Sequence, residues 1–131
     1  MSERYTLRNL GEVDDAAPKF GLGESWEARM AQTALRAEQT GVGFFRLKAG
    51  RRSPFAHRHD EAEEVYVILR GRGRMRLDDE VVEVGPLDAV RVAPSVVRAF
   101  EAGADGLDFL AVGPHHPQDG ELVEDSWAGG G

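Results

Sequence analysis

The chain has 131 residues, a length typical of one domain with a single core, and it contains no cysteine, which excludes disulfides, thiolate metal ligands and cysteine nucleophiles. Its 16 basic and 23 acidic side chains give a net charge of −7, which argues against a nucleic-acid partner because phosphate binding needs clustered cations. Since the amino terminus lacks the pattern of a signal peptide and no apolar run approaches the ~18 residues of a membrane span, we expect no membrane partner and a cytoplasmic location.

The first 40 residues have an ambiguous pattern. Ser25 is a suitable N-cap for a helix that would end near Glu38, before Gly41. The apolar residues spaced for one face of this helix are Trp26, Met30, Ala34 and Ala37. Pairing with other strands would instead make parts of the same stretch extended. We therefore predict an N-terminal segment that is irregular or helical in part.

From residue 41 onward, short apolar runs alternate with turn residues, which is typical of an all-β domain. The predicted strands are Val42–Lys48, Phe55–His59, Glu64–Leu69, Arg72–Leu77, Glu80–Val84, Ala89–Val92, Arg98–Ala102 and Leu107–Val112. We expect a hairpin tip at 77–80, a turn at 71–74 and a tight connection at 102–106, where glycine and aspartate are frequent. About eight short strands at this spacing indicate a β-sandwich or a small barrel.

Two histidines and a glutamate form the strongest functional pattern. His57 and His59 lie two residues apart on a predicted strand, so their side chains point to the same face. Glu64 opens the next strand and shares a face with Tyr66. Two imidazoles and a carboxylate directed at one point make a site for a first-row transition metal. The alternative is that these side chains are hydrogen-bonded residues of the core or rim.

Residues 50–71 resemble the first conserved motif of the cupin superfamily. Gly50, the His-x-His pair, Glu64 and Gly71 follow the order of that motif. One extra residue stands between Gly50 and His57 compared with the usual spacing. The bounding glycines and the placement of the glutamate make this motif a specific one.

The stretch 85–100 resembles the second cupin motif but departs from it at two positions. Asp88 and Pro94 fit the motif, whereas Ser95 stands in place of the turn glycine. Arg98 occupies the position where the motif places a histidine as the fourth metal ligand.

The resemblance covers roughly residues 40–112 and implies a small single-domain cupin of the Cupin_2 type. Its fold would be a double-stranded β-helix, or jelly roll, formed by residues 41–113 and followed by a C-terminal tail at 114–131. Cupins commonly form homodimers, often through N-terminal strands, so residues 1–40 are the expected interface arm. The pocket inside the barrel would be lined by Phe55, His57, His59, Glu64, Tyr66, Arg98 and Phe100.

Arg98 creates a conflict within this site, because a guanidinium stays charged and cannot coordinate a cation. At roughly 5 Å from a divalent ion, with an effective dielectric near 20, the repulsion would be about 7 kcal/mol. In a first interpretation, His57, His59 and Glu64 bind Fe, Mn, Ni or Zn, and Arg98 holds the carboxylate of a substrate. In a second, Arg98 pairs with Glu64 and replaces the metal.

The two interpretations correspond to two kinds of protein. The first is a metal-dependent oxygenase, isomerase or decarboxylase acting on a small carboxylated metabolite, whose substrate contacts would be Phe55, Tyr66, Arg98 and Phe100. The second is a metal-free sensor or binding protein for a small acidic or polar ligand. His115 and His116 are weaker candidates for the missing ligand, in a stretch rich in proline and glycine. No catalytic residue is assigned, since neither Ser53 nor Ser95 has the context of a nucleophile.

Overall fold

The structure is a computed structural model that describes residues 4–115 and 119–123. Two short 3-10 helices, Leu10–Glu12 and Ala17–Phe20, precede the sheet. The remaining elements are β1 (Trp26–Met30), α1 (Gln32–Leu35), β2 (Thr40–Leu47), β3 (Ala56–His59), β4 (Glu64–Leu77), β5 (Glu80–Val84), β6 (Ala89–Val92), β7 (Arg98–Pro114) and β8 (Gly120–Val123). The predicted all-β class is confirmed, since antiparallel strands make up most of the described chain.

Two long strands, β4 and β7, form the centre of a curled sheet of eight strands. They pair twice, first between residues 65–71 and 107–112 and again between residues 73–77 and 98–102. The first half of β4 also pairs with β6 and its second half with β5, while β7 pairs with β2 at one end and β3 at the other. This wrapping of both strands around the sheet is the jelly-roll architecture that the sequence predicted.

The predicted turns at 71–74 and 102–106 are wrong, because β4 and β7 run through these stretches without interruption. The register between the strands shifts beside Gly71, as it does at a β-bulge. Gly71 has a φ of 80°, and a Cβ atom added to it would lie 2.0 Å from the carbonyl oxygen of Gly106. The glycines therefore permit a close approach of two backbones within the sheet, not a chain reversal. The hairpin tip predicted at 77–80 joins β4 to β5 as expected.

The helical alternative for Ser25 to Glu38 is wrong over most of its length, and the extended alternative holds for its first part. Trp26–Met30 forms β1 and pairs with β2 from Trp26 opposite Leu47 to Met30 opposite Gly43. Only the short α1 is helical, and it ends where Arg36 adopts a φ of 59°. Pairing with β2 satisfies the backbone of this stretch and buries its alternate residues, so tertiary contacts override the local pattern.

The N-terminal segment contributes to the core of its own chain. Trp26 is buried, and Leu22 packs against the same apolar cluster. Phe20, in contrast, is 74% exposed. Trp26 and, in part, Leu22 are thus covered within the monomer and not left free in the expected interface arm. The homodimer stays a prediction.

At the other end of the chain, β8 pairs with β3 in antiparallel register, with Gly120 opposite His59. This part of the predicted tail therefore belongs to the sheet and lies beside the strand that carries the two histidines. In the described ranges 4–115 and 119–123, no helix is long and apolar enough to cross a membrane.

Candidate metal centre

The His-x-His pair and Glu64 converge on one cavity inside the barrel. The histidines lie on β3, and Glu64 is the first residue of β4. Oε1 of Glu64 lies 3.0 Å from Nε2 of His59 and 3.5 Å from Nε2 of His57. One ligand atom from each residue falls within 4.8 Å of the others, and all three side chains are partly buried. The alternation of side chains along β3 thus produces the grouping that the sequence predicted.

Two ligand-to-ligand distances in this group, those from Glu64 to each histidine, fit a divalent metal. For zinc, bonds of about 2.1 Å separated by about 90–109° place two ligand atoms about 3.0–3.4 Å apart, close to the two observed distances. Nε2 of His59 is buried, and although it lies 3.0 Å from Oε1 of Glu64 it makes no hydrogen bond of standard geometry with a described residue. Buried polar atoms rarely stay unsatisfied, so this nitrogen has the environment of a metal ligand. The three residues can therefore hold an ion, and the donor set also suits Fe, Mn and Ni.

Tyr66 completes the polar cluster. Its hydroxyl donates to Oε1 of Glu64 at 2.6 Å and lies 3.3 Å from Nε2 of His57. Burial raises the pKa of Glu64, but contacts with His57, His59 and Tyr66 outweigh burial and hold that pKa well below its usual range. Burial and the charge of Glu64 raise the pKa of Tyr66, although the charge of Arg98 opposes them. The cluster therefore presents a charged carboxylate beside a neutral phenol.

Arg98 lies directly opposite His57 in the pairing of β7 with β3, and its side chain lines the same cavity. It is 0% exposed, and its guanidinium donates to the carbonyl oxygens of Pro94 and Ala93, both at 3.3 Å. Within the described part of the chain, Nε of Arg98 has no hydrogen-bond partner and the guanidinium forms no ion pair with Glu64. The pairing expected in the metal-free interpretation is thus not made, because these carbonyl groups bind the guanidinium instead.

Asp119 is a residue of this site that the sequence did not reveal. It lies just before β8 and is buried, with Oδ2 3.3 Å from Nδ1 of His59. Burial raises its pKa, but hydrogen bonds from backbone N–H groups, chiefly those of Ala62 and Glu61, and the charge of His59 hold the pKa of Asp119 below its usual range. A lone aspartate in a predicted tail has no local pattern that would indicate this contact.

The cavity has a volume of about 450 Å³ and includes all seven residues of the predicted pocket. Its wall beyond the polar cluster is aromatic. Phe100 and Phe109 stack with their ring centroids 4.0 Å apart, and Trp26 packs against Phe45 and Phe55. The cavity therefore combines a cluster of polar and charged side chains with adjoining aromatic rings.

His115, the weaker candidate that the structure describes, is not part of the polar cluster. His115 is exposed at the edge of the cavity, and its backbone N–H donates to Gln39. Among the described residues, the group with metal-ligand spacing comprises only the predicted two histidines and glutamate. His116 lies outside the described residues. Ser53 is buried and accepts a hydrogen bond from the backbone N–H of Phe100, which is a structural role.

A curled antiparallel sheet around a His-His-Glu group defines a β-barrel protein with a candidate metal site. The sequence matches the Cupin_2 family of cupin domains over residues 43–113, more than half of the chain. The protein therefore belongs to the cupin family, and the expectation of a small single-domain cupin is confirmed. An uncharacterized protein of Methanocaldococcus jannaschii is 37% identical over 71 residues, which are 52% of this chain and 57% of that relative. The match thus spans less than two thirds of the relative's length.

Solved structures share this fold over nearly the whole chain. A cupin protein from Bacteroides fragilis is 24% identical with a TM-score of 0.70, covering 96% of this chain and 92% of the other. The polyketide cyclase RemF from Streptomyces resistomycificus is 19% identical with a TM-score of 0.74, covering 92% and 87%. A sugar phosphate isomerase of the cupin superfamily from Silicibacter pomeroyi is 18% identical with a TM-score of 0.73, covering 92% and 83%. At these identities the likeness establishes the fold alone.

Proposed function

We propose that this protein is a metal-dependent cupin enzyme that acts on a small carboxylate with an apolar body. The observation that supports this most directly is the convergence of His57, His59 and Glu64 on one point of a largely apolar cavity. The structural neighbours include a cyclase and an isomerase, so the fold does not select one reaction. The candidate reactions are oxygenation, isomerisation and decarboxylation.

The residues of the cluster have separate roles in this proposal. His57, His59 and Glu64 would hold a divalent metal, which supplies Lewis-acid or redox chemistry when bound. The low pKa of Glu64 keeps its carboxylate ready to bind a cation at neutral pH. Tyr66 keeps its phenolic proton and directs it to Glu64, which fixes the orientation of that carboxylate.

Arg98 is the proposed anchor for the anionic end of the ligand. Its guanidinium has five N–H donors, and the two carbonyl groups that it contacts, at 3.3 Å, leave most of this capacity unused. A carboxylate would accept these donors as a charge-assisted pair and offset the burial of the arginine. It would also place a negative charge between Arg98 and the metal, which removes the repulsion expected from their proximity.

The aromatic wall accounts for the proposed apolar body of the ligand. Trp26, Phe45, Phe55 and Phe109 all line the cavity. Phe55 contacts His57 and Phe109 contacts Tyr66, so the apolar wall begins directly beside the polar cluster. Burial of apolar ligand surface against such a wall contributes about 25 cal/mol per Å². A ligand that is polar along its whole length would leave hydrogen-bonding groups without partners there.

A metal-free binding protein is the second candidate function. The buried Arg98 favours it, because a cavity with one fixed cation can bind an anion without a metal.

Metal analysis separates the two functions. Protein purified without chelator should carry near-stoichiometric metal, which His57→Ala should lose and the control His115→Ala should retain. Metal-free protein that also ignores added Fe, Mn, Ni and Zn would overturn the metal-dependent proposal.

Calorimetry with benzoate and its uncharged analogue benzamide then tests the anion anchor. Wild-type protein should prefer benzoate by 10-fold or more, as expected for one charge-assisted pair of about 1.5–3 kcal/mol. Arg98→Met should bind the two compounds equally. An unchanged preference in this variant would remove Arg98 from the ligand site whether or not a metal binds.

A further inference from the structure

Asp119 is held in place by the loop that connects the two halves of the candidate metal centre. Its Oδ1 accepts hydrogen bonds from the backbone N–H groups of Glu61 at 2.9 Å and Asp60 at 3.2 Å. Its Oδ2 accepts one from Ala62 at 2.9 Å. These residues lie between His59 and Glu64 in the chain, so a carboxylate from the C-terminal region organises the connection between two candidate ligands.

The same carboxylate faces the side of His59 that points away from the metal position. Oδ2 of Asp119 lies 3.3 Å from Nδ1, while Nε2 on the other side of the ring lies 3.0 Å from Glu64. Both ring nitrogens are buried, and neither makes a hydrogen bond of standard geometry with a described residue. At 3.3 Å, Oδ2 of Asp119 is an acceptor just beyond the usual hydrogen-bond distance from Nδ1.

The position of this proton matters because a neutral imidazole has one N–H and one lone pair. A proton on Nδ1 leaves the lone pair on Nε2, which is the nitrogen in the His-His-Glu group. A proton on Nε2 would prevent that nitrogen from binding a metal. A carboxylate behind a ligating histidine fixes both the tautomer and the orientation of the ring.

We propose that Asp119 is a positioning residue that accepts the Nδ1 proton of His59 and directs Nε2 into the metal centre. The role in metal binding rests on the proposed function, whereas the hydrogen bond to Nδ1 does not. Through this contact the residue just before β8 becomes part of the site, although it lies beyond the residues matched by the cupin family.

The first test is the imidazole nitrogen NMR spectrum of the metal-free protein under mildly alkaline conditions. In wild-type protein we expect a proton on Nδ1 of His59, and in Asp119→Ala we expect this signal to be lost or shifted while that of His57 is unchanged. A wild-type spectrum in which Nδ1 of His59 carries no proton overturns the proposal even if no variant folds. This measurement needs no metal, so it stands if the proposed function fails.

The second test is the affinity for zinc, measured by competition with a chelator. Asp119→Ala and Asp119→Asn should bind zinc 10–100-fold more weakly, the usual cost of losing such a partner. Glu121→Gln is the matched control, because Glu121 lies nearby on β8 and its carboxylate pairs with Arg58 at 2.9 Å. Thermal unfolding of each variant shows whether β8 stays docked. A folded Asp119→Ala with wild-type zinc affinity and an unchanged His59 signal contradicts the proposal, as does an equal loss of affinity in Glu121→Gln.

Discussion

Replacing Arg98 with methionine should affect the stability of the protein and its proposed ligand binding in opposite directions. The guanidinium is fully buried, has no partner for Nε and pairs with no carboxylate among the described residues. Its two hydrogen bonds, to Pro94 and Ala93, are both 3.3 Å long. Methionine has a similar length and adapts to irregular spaces, so it fills the site without a charge.

The expected change in the free energy of unfolding of Arg98→Met is the sum of two opposing contributions. Loss of two long hydrogen bonds to carbonyl groups costs about 1 kcal/mol each, roughly 2 kcal/mol in total. Removal of a desolvated charge returns several kcal/mol, and apolar replacements of buried ions are typically neutral or stabilising by about 1–4 kcal/mol. We therefore expect Arg98→Met to raise the free energy of unfolding by about 1–3 kcal/mol. For a domain of this size, Tm should rise by roughly 3–10 °C.

The assay is urea and thermal unfolding of metal-free protein in a buffer without carboxylates. Arg91→Met is the matched control, because Arg91 forms an exposed ion pair with Glu63 at 3.3 Å and its replacement should change stability by no more than about 0.5 kcal/mol. A decrease of more than about 1 kcal/mol in Arg98→Met would refute the reasoning. It would mean that the folded protein already satisfies the guanidinium without a ligand.

Two further predictions concern the scaffold. Gly71→Ala should lower the free energy of unfolding by more than about 3 kcal/mol, because the added Cβ would lie 2.0 Å from the carbonyl oxygen of Gly106. Gly50→Ala is the control, since Gly50 has a similar φ of 69° but no atom within 4 Å of an added Cβ. It should lower the free energy of unfolding by only about 1–2 kcal/mol. Equal losses in urea unfolding would exclude the close backbone approach as the cause. Partial burial raises the pKa of Glu101, but ion pairs with Arg52 and Arg74 outweigh burial and lower this pKa. The carboxylate therefore stabilises the fold at pH values above its unfolded-state pKa. This stabilisation is lost as the pH falls through the folded-state pKa. Glu101→Gln should thus be less stable than wild type by up to about 1 kcal/mol at neutral pH, and a difference that does not shrink on acidification would contradict this assignment.

The sequence determined the fold class and the centre of the site because both depend on short-range periodicity. Residues two apart on a strand share a face, so His57 and His59 had to point the same way, and Glu64 opened the strand that faces them. Alternating apolar runs predicted most strand positions for the same reason. Arg98 could be placed in the cavity because its motif has a fixed spacing from the strands before it.

Only the tertiary structure decided which segments of the chain pair or come into backbone contact. The stretch from Trp26 to Met30 is compatible with a helix or a strand until β2 is present to pair with it. Gly71 indicates a turn until Gly106 comes within contact distance across the sheet. Asp119 and His59 are brought together by the pairing of β8 with β3, which joins residues about sixty positions apart. Contacts of this kind leave no periodic pattern in the sequence, because their physical cause is the closure of the barrel and not the local conformation of the chain.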